Sequence, residues 1–461
     1  MSHIPRRGRL FSAKKLVFLT AMAFAMTSSS LLAGGTRVMY QSNNDLVVTG
    51  RSMDWPEDMQ SNIWSLPRGM VRDGAAGPLS LQWTSRYGSV VVTSYDLGTV
   101  DGMNEHGLVA NLMYSKDADY GTTENKPSLS LSLWAQYALD NFRTVREAVD
   151  ALRLEPFRIV APNLPNGRRY SFSLILSDAA GQSAIIEYSD GSPSIETGKE
   201  TRVIVDTESY RQQIGQSAYW ERRGNVSSMP GSSDPLDRYA RASIGVSSMP
   251  KELDRRFALV PSMANYTNRV ISNMLALVRS VSTPFYAADI ELTPPTIWRS
   301  VANQKDKVYY FDSALVPSSF WFDLKSLDFS AGAAVKKLPI SEGLPFSGNA
   351  SLLMIESPPF QFLRADPFAA ADALAMGSPA IIPLPSPKIE VAKHLRAPSS
   401  AQPVLAQITS APAMARPPMP VTLKEPSYEE PVGVLREKVE IVEARVTPVS
   451  YPGDDTVYDP K

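Results

Sequence analysis

Two short stretches decide the fold assignment: GTRVMY at residues 35–40 and GRSMDW at residues 50–55. Small residues precede the first stretch, and its apolar positions between residues 37 and 40 predict a β-strand. Similar runs predict strands at residues 46–49, 89–94 and 108–113. Arg51 and Asp54 follow Gly35 by 16 and 19 positions (51 − 35 and 54 − 35). Taken singly, each of these two charged residues favours an ordinary salt bridge on a turn.

The rest of the body alternates between strand and helix patterns. Residues 172–177 and 183–188, joined by DAAGQ, predict a hairpin. Helices are predicted at residues 131–139, after the capping box that begins at Thr144, and at residues 266–280. Strands resume at residues 307–311 and 319–323. This order suits two stacked sheets covered by helices, although the pattern alone leaves α/β and α+β folds open.

Further motifs occur in a fixed order after the first two. They are LQWTSRYGS at 81–89, DGMNEHGL at 101–108, WAQY at 134–137, SAIIEY at 183–188, DRY at 237–239 and IWR at 297–299. Together they resemble the penicillin V acylases and bile-salt (choloylglycine) hydrolases, whose mature chains begin Cys-Thr-Arg. The resemblance runs from Gly35 to about Leu363. It implies an α+β fold, the four-layer αββα sandwich of N-terminal nucleophile hydrolases.

The resemblance also implies a chemistry. In such enzymes the first residue attacks the amide carbonyl, and its own α-amino group, with a pKa of about 7.7 to 8.0, accepts the proton. By resemblance Asp54 would hold that amino group, Arg51 would stabilise the nucleophile and Arg238 would support the site. The joint spacing of Arg51 and Asp54 from Gly35 therefore favours a site over a bridge. The implied ligand is a small linear acyl amide, without cofactor or metal, and the implied binding residues are Trp55, Met113 and Tyr114.

Two positions depart from the family pattern. Gly35 stands where the nucleophilic cysteine is expected, and Asp206 stands at the oxyanion-hole asparagine. Losing one such donor costs roughly 2.7 to 4 kcal/mol, and a protonated Asp206 could still donate a hydrogen bond. Thr36 is an alternative nucleophile if the signal is cut after Gly35. Side chains alternate along a strand, so we expect Thr36 to face away from Arg51 and Asp54.

The amino-acid composition excludes several kinds of partner and catalytic site. The 46 basic and 47 acidic side chains leave no excess of positive charge of the kind that binds nucleic acid. There is no cysteine, which excludes disulfides and thiol nucleophiles. Of the three histidines only His106 lies in the predicted body, so a multi-histidine zinc site is excluded. We expect His106 to be a solvated turn residue.

The two ends of the chain differ from the body. Residues 1–34 combine basic residues with an apolar run over 16–26, shorter than the ~20 residues of a membrane span. They predict an export signal, a periplasmic or secreted bacterial protein, no transmembrane span in the mature chain, and a first residue of Gly34, Gly35 or Thr36. Residues 364–461 hold 16 of the 37 prolines and predict a disordered tail after a domain of residues 35–363.

Three functions remain open at this point. The chain is a hydrolase of linear amides, a pseudoenzyme that binds an acyl amide without cutting it, or a scaffold whose tail contacts the cell envelope. Family descent fixes fold and ligand class better than turnover. A homo-oligomer is left open as well.

Overall fold

Two large β-sheets form the framework of the molecule. The computed structural model describes residues 34–43, 45–122, 126–198, 202–206, 229–252, 265–285, 294–342 and 346–366. Within these ranges the chain forms a seven-stranded and a nine-stranded sheet, two small strand pairs and four α-helices. The fold is α+β, as the sequence predicted.

The strands are β1 Thr36–Gln41, β2 Val47–Asp54, β3 Ile63–Leu66, β4 Val71–Asp73, β5 Gln82–Thr84, β6 Ser89–Ser94, β7 Gly98–Asn104, β8 Val109–Tyr114, β9 Ser128–Ser130, β10 Arg158–Val160, β11 Phe172–Ser177, β12 Ser183–Ser189, β13 Ser192–Thr197, β14 Val203–Val205, β15 Thr296–Asn303, β16 Val308–Ser313, β17 Ser319–Asp323, β18 Lys336–Leu338, β19 Gly348–Asn349 and β20 Ile355–Glu356. The helices are α1 Trp134–Asn141, α2 Val145–Leu152, α3 Pro235–Ser247 and α4 Tyr266–Ser280.

Strand β1 lies inside the seven-stranded sheet, whose order is β14-β1-β2-β15-β16-β17-β19. It pairs antiparallel with β14 on one side and β2 on the other, and Arg37 stands opposite Arg51. The order of the nine-stranded sheet is β13-β12-β11-β8-β7-β6-β3-β18-β20. The start of β1 is therefore flanked by the ends of both neighbouring strands.

Helices cover the outer face of each sheet. Apolar residues of α3 and α4, among them Tyr239 and Met274, pack on Val38 and Val48 of the seven-stranded sheet. Helix α1 packs on β7 and β8, and α2 packs on β12. Between the sheets Arg37 donates to Asn111, and Thr49 is bonded to Ser177. The result is the expected αββα order of layers.

Most of the predicted strands and helices occur in the structure at or near their predicted positions. Strands β6, β11 and β17 and helix α4 have the predicted bounds. Thr144 caps α2 through a bond from the Glu147 amide, while the Glu147 carboxylate accepts from the amide of Arg143. Twelve of the twenty described strands, among them β3, β7 and β15, and helix α3 were not predicted. Helix α3 does have a start signal, because Asp234 is its N-cap and Pro235 its first residue.

The last described segment is packed onto the body. The Leu363 carbonyl accepts from the hydroxyls of Ser130 and Ser132, and the Ala365 amide donates to Ala75. Ala365 is buried, so packing continues two residues beyond the predicted domain end at 363. Most of the predicted signal and tail lies outside the described residues. Within the described part of the chain, no helix has the length and hydropathy of a membrane span, and no cluster of acidic or histidine side chains suits a metal ion.

Candidate active site

The backbone at Gly34 and Gly35 lies in the centre of the candidate site. Gly34 and Asp54 exchange two main-chain hydrogen bonds of 2.8 and 3.0 Å, and the Asp206 amide donates to the Gly35 carbonyl at 3.2 Å. Gly35 has φ +142°, a conformation that residues with a side chain rarely adopt. A Cβ added to it would lie 1.9 Å from the Ser52 carbonyl oxygen. While residue 34 is attached, position 35 therefore has no room for a side chain.

Thr36, the next residue, is fully buried. Its amide donates to the Ser52 hydroxyl at 3.0 Å, and its own hydroxyl accepts from Arg238 Nη1 at 3.2 Å. Helix α3 brings Arg238 to this point from 202 residues along the chain. Thr36 thus has its main-chain nitrogen and its hydroxyl beside separate polar groups.

Arg238 joins two buried carboxylates. Its Nη1 lies 2.9 Å from Asp54 Oδ2, and its Nη2 lies 2.6 Å from Asp206 Oδ1. Asp54 also accepts from the Thr296 hydroxyl at 2.5 Å. This cluster, Arg238 with Asp54 and Asp206, carries a net charge of −1 when both carboxylates are ionised.

Burial and mutual repulsion change the acidity of the carboxylates. Burial raises the pKa of Asp206 to about 6, with a further increase from Asp54, while Arg238 opposes both effects. Burial also raises the pKa of Asp54 against the pull of Arg238 and Thr296. Burial lowers the pKa of Arg238, but the two carboxylates outweigh it and the net shift is upward. The raised pKa brings the titration of Asp206 towards neutral pH, and the ionised form accepts hydrogen bonds rather than donating them.

Arg51 lies on the opposite face of β2, between the two sheets. It donates to the Val100 carbonyl at 2.6 Å and to the Leu112 carbonyl, and its Nη1 lies 3.2 Å from Asp101. Burial lowers the pKa of Arg51 against the opposing effect of Asp101. The structure does not join Arg51 and Asp54 by a hydrogen bond, because residues 51 and 54 face opposite sides of one strand.

The predicted orientation of Thr36 is only half right. Thr36 does point away from Arg51, but it shares Arg238 Nη1 with Asp54. Side chains alternate along β1 as expected. Thr36 nevertheless lies near Asp54, because β2 places Asp54 on the helix side of the sheet, where Arg238 also lies.

Known proteins are similar to this chain from Gly35 onward. Residues 35–330 match the family described as linear amide C–N hydrolases, choloylglycine hydrolase family. The chain belongs to the choloylglycine hydrolase family. The penicillin V acylase of Pectobacterium atrosepticum is 36% identical over 365 residues, which are 75% of this chain and 96% of that protein.

Solved structures extend the family relationship to three dimensions. The penicillin V acylase of Agrobacterium tumefaciens superimposes with a TM-score of 0.64 at 40% identity, covering 71% of this chain and 99% of that one. A mutant conjugated bile acid hydrolase from Clostridium perfringens gives a TM-score of 0.53 at 15% identity, covering 68% of this chain and 98% of that one. The second match supports the fold alone. The family match and the two penicillin V acylases show that the predicted family is right.

An apolar pocket in this family member opens beside Trp55. The Trp55 ring lies 4.7 Å from Tyr170 and 6.3 Å from Phe172, and both of these neighbours line the pocket. The pocket is small, with a cavity volume of about 40 Å³. Tyr114 lies edge-on to Tyr170 at 6.3 Å. Trp55 directly follows Asp54 and is fully buried, so it backs the pocket wall rather than lining the pocket.

None of the three predicted binding residues, Trp55, Met113 and Tyr114, lines the pocket itself. Met113 packs with Ile175, Ile185 and Ile204 in an apolar cluster and does not line the pocket. His106 is exposed in a turn, with its ring 4.7 Å from Tyr87, so the prediction of a solvated histidine is confirmed.

Sequence reasoning missed two polar residues of the site. Ser52 accepts the Thr36 amide, and Thr296 donates to Asp54. Ser52 could have been predicted from the period of two along β2, since it shares a face with Asp54. Thr296 lies 242 residues from Asp54, and no local pattern indicates that contact.

Proposed function

We propose that this protein binds a linear acyl amide beside Trp55 and does not cleave it by the cysteine mechanism of its family. One observation carries the proposal: position 35 has no side chain, and its backbone lies against the Ser52 carbonyl. The apolar pocket lined by Tyr170 and Phe172 remains. An acyl chain suits that pocket because its walls are mostly apolar.

The charges at the site also oppose hydrolysis. An amide carbonyl that is attacked becomes an oxyanion and needs hydrogen-bond donors. Ionised Asp206 would repel an anion about 4 Å away by roughly 4 kcal/mol at an effective dielectric constant of about 20. Both Arg238 nitrogens beside it already donate to carboxylates. Stabilisation of an oxyanion is therefore weak even if another nucleophile is supplied.

The test is a combined binding and turnover assay on chains that begin at residue 35. Penicillin V and a glycine-conjugated bile acid are the probes. The unaltered chain should bind at least one probe without turnover. Gly35→Cys should gain hydrolysis, and Gly35→Cys with Asp206→Asn should gain more. With residue 34 removed, rotation about the Cα–C bond of residue 35 can move the side chain away from Ser52.

Gly35→Ala is the matched control, because it adds the Cβ without the thiol. It should bind like the unaltered chain and stay inactive. Turnover by the unaltered chain would overturn the proposal, as would a failure of every folded variant to bind either probe.

A second candidate function is hydrolysis with Thr36 as the nucleophile. It is favoured by one observation, namely that the Thr36 amide lies 3.0 Å from Ser52 Oγ while the Thr36 hydroxyl lies 3.2 Å from Arg238. Cleavage after Gly35 would turn that amide into an α-amino group next to the hydroxyl it must deprotonate. A chain that begins at Thr36 should then hydrolyse a probe, and Thr36→Ala should abolish that turnover. An inactive chain with Thr36 first would refute this candidate.

A further inference from the structure

A second depression lies on the surface between α2, the β11–β12 turn and the end of β1. We call it the arginine groove; its polar walls include Gln41, Arg146, Asp150, Arg153, Ser183 and Arg202. It encloses about 1160 Å³ of empty space, including its open mouth. None of these residues belongs to the Arg238 cluster or to the apolar pocket.

The charges of the groove are unbalanced. Among the described residues that line it there are three arginines and one aspartate. The aspartate, Asp150, lies 3.9 Å from Arg146, and both side chains are exposed. Such a pair contributes little and leaves Arg153 and Arg202 without compensation by Asp150. The described lining therefore carries a net charge of +2.

Arg202 has unused hydrogen-bonding capacity. Its Nη2 donates to the amide oxygen of Gln41 at 2.9 Å. Its Nε is buried and has no partner in the part of the chain that the structure describes. A guanidinium that donates to a neutral amide leaves its charge uncompensated, whereas an oxyanion would accept from it with a stronger, charge-assisted bond.

A fourth guanidinium lies directly behind the floor of the groove. Arg37 is fully buried, and its Nη1 lies 3.5 Å from the hydroxyl of Ser183, which lines the groove. Its Nε donates to Asn111, and its Nη2 has no partner among the described residues. Burial lowers the pKa of Arg37 to about 9, with Asp101 opposing that effect from a distance. Its positive charge adds to the positive potential at the floor of the groove, while the side chain itself stays buried.

We propose that the arginine groove binds a phosphate monoester dianion, either free or as a lipid head group. A compact dianion matches the net charge of the described lining, whereas a single carboxylate offsets half of it. The planar fork of an arginine donates two parallel bonds to a phosphate; the exposed Arg153 supplies such a fork, and Arg202 supplies a second positive charge. This site is independent of the acyl-amide proposal.

Titration calorimetry of the full chain tests the proposal, with inorganic phosphate in one arm and vesicles in the other. The vesicles contain phosphatidylcholine with or without phosphatidic acid. Arg202→Gln should weaken binding about tenfold, because it removes a charge-assisted donor. Arg153→Gln should weaken it by about threefold, since this exposed arginine contributes charge at the rim. Added salt should weaken the vesicle arm most.

Arg168→Gln is the matched control, because it removes one exposed arginine outside the groove. It should change affinity less than about twofold in either arm. If Arg202→Gln fails to fold, Arg153→Gln against Arg168→Gln decides the test. Groove-dependent binding of inorganic phosphate identifies a free ligand, and groove-dependent binding only to phosphatidic acid vesicles identifies a head group. No saturable binding in either arm, or equal losses in groove and control variants, overturns the proposal.

Discussion

Arg51 and Arg238 are both buried beside β2, yet their surroundings differ. Arg51 lies between the sheets, where it bonds two main-chain carbonyls and one carboxylate, Asp101. Arg238 lies on the helix side, where it joins the carboxylates Asp54 and Asp206 and the Thr36 hydroxyl. The first arginine ties β2 to the second sheet. The second offsets one of two negative charges beside the start of β1.

This contrast separates structural from chemical roles. The donors of Arg51 that face Val100 and Leu112 are fixed by main-chain atoms, which do not ionise. The Arg238 cluster contains two groups whose pKa values are raised by burial, so its charge changes with pH. A ligand or a nucleophile placed near Gly35 would interact with the second cluster first.

Replacing Arg238 or Arg51 should cause the largest losses in the free energy of unfolding. Arg238→Met leaves two carboxylates buried without a cation, and we expect a loss of about 3–5 kcal/mol in the free energy of unfolding. Arg51→Met should cost less, about 2–3 kcal/mol, because Asp101 keeps the hydroxyls of Tyr309 and Ser300 as donors. Denaturant titration at pH 7 measures both.

The double variant Arg238→Met with Asp206→Asn serves as the control for that comparison. It removes one of the two uncompensated charges and should recover part of the loss. If Arg51→Met proves the more damaging single change, the assignment of structural and chemical roles is wrong.

The pH dependence of the free energy of unfolding should report the ionisation of Asp206 in the Arg238 cluster. Folded Asp206 keeps its proton up to about pH 6, whereas the unfolded chain releases it near the ordinary value of 3.8. The folded state therefore binds more protons in this window, and stability falls as the pH rises through it. Between pH 4 and pH 7 the unaltered protein should lose on the order of 2 kcal/mol more than Asp206→Asn.

Asp312 provides a control because its pKa is shifted in the opposite direction, downward. Burial raises its pKa, but bonds from Arg279 and Ser319 outweigh that effect and the net shift is downward. Its contribution is complete above the ordinary aspartate pKa, so Asp312→Asn should show no corresponding change between pH 5 and pH 7. A flat difference between Asp206→Asn and the unaltered protein would refute the raised pKa.

The smallest effect is expected at Thr36. Thr36→Val keeps the shape of the side chain but removes the hydroxyl that accepts from Arg238. Because Arg238 retains both carboxylates, the cost should be about 1 kcal/mol. Thermal unfolding of Thr36→Val and of Thr49→Val, which loses a hydroxyl bonded to Ser177 and Gln304, compares the two faces of the sheet. A loss at Thr36 that exceeds the loss at Thr49 would show that the Arg238 cluster depends on this hydroxyl.

The sequence predicted regular elements well where the local pattern was strong. Strands at residues 89–94 and 172–177 and the helix at 266–280 were placed correctly because apolar periodicity and caps are local properties. Strand β15 was missed although its IWR motif was recognised, since a motif does not mark the ends of a strand. Met113 was assigned to ligand binding, but the fold packs it against three isoleucines.

By itself the sequence determined the family, the αββα fold, the absence of a side chain at position 35 and the aspartate at position 206. These follow from residue identity and from the order of motifs along one chain. Only the tertiary structure decided that Thr36 and Asp54 share Arg238 while Arg51 faces the other sheet. The physical reason is that strand periodicity fixes which residues share a face but not what covers that face. Helix α3 and Thr296, more than 180 residues from Asp54, provide that cover through packing.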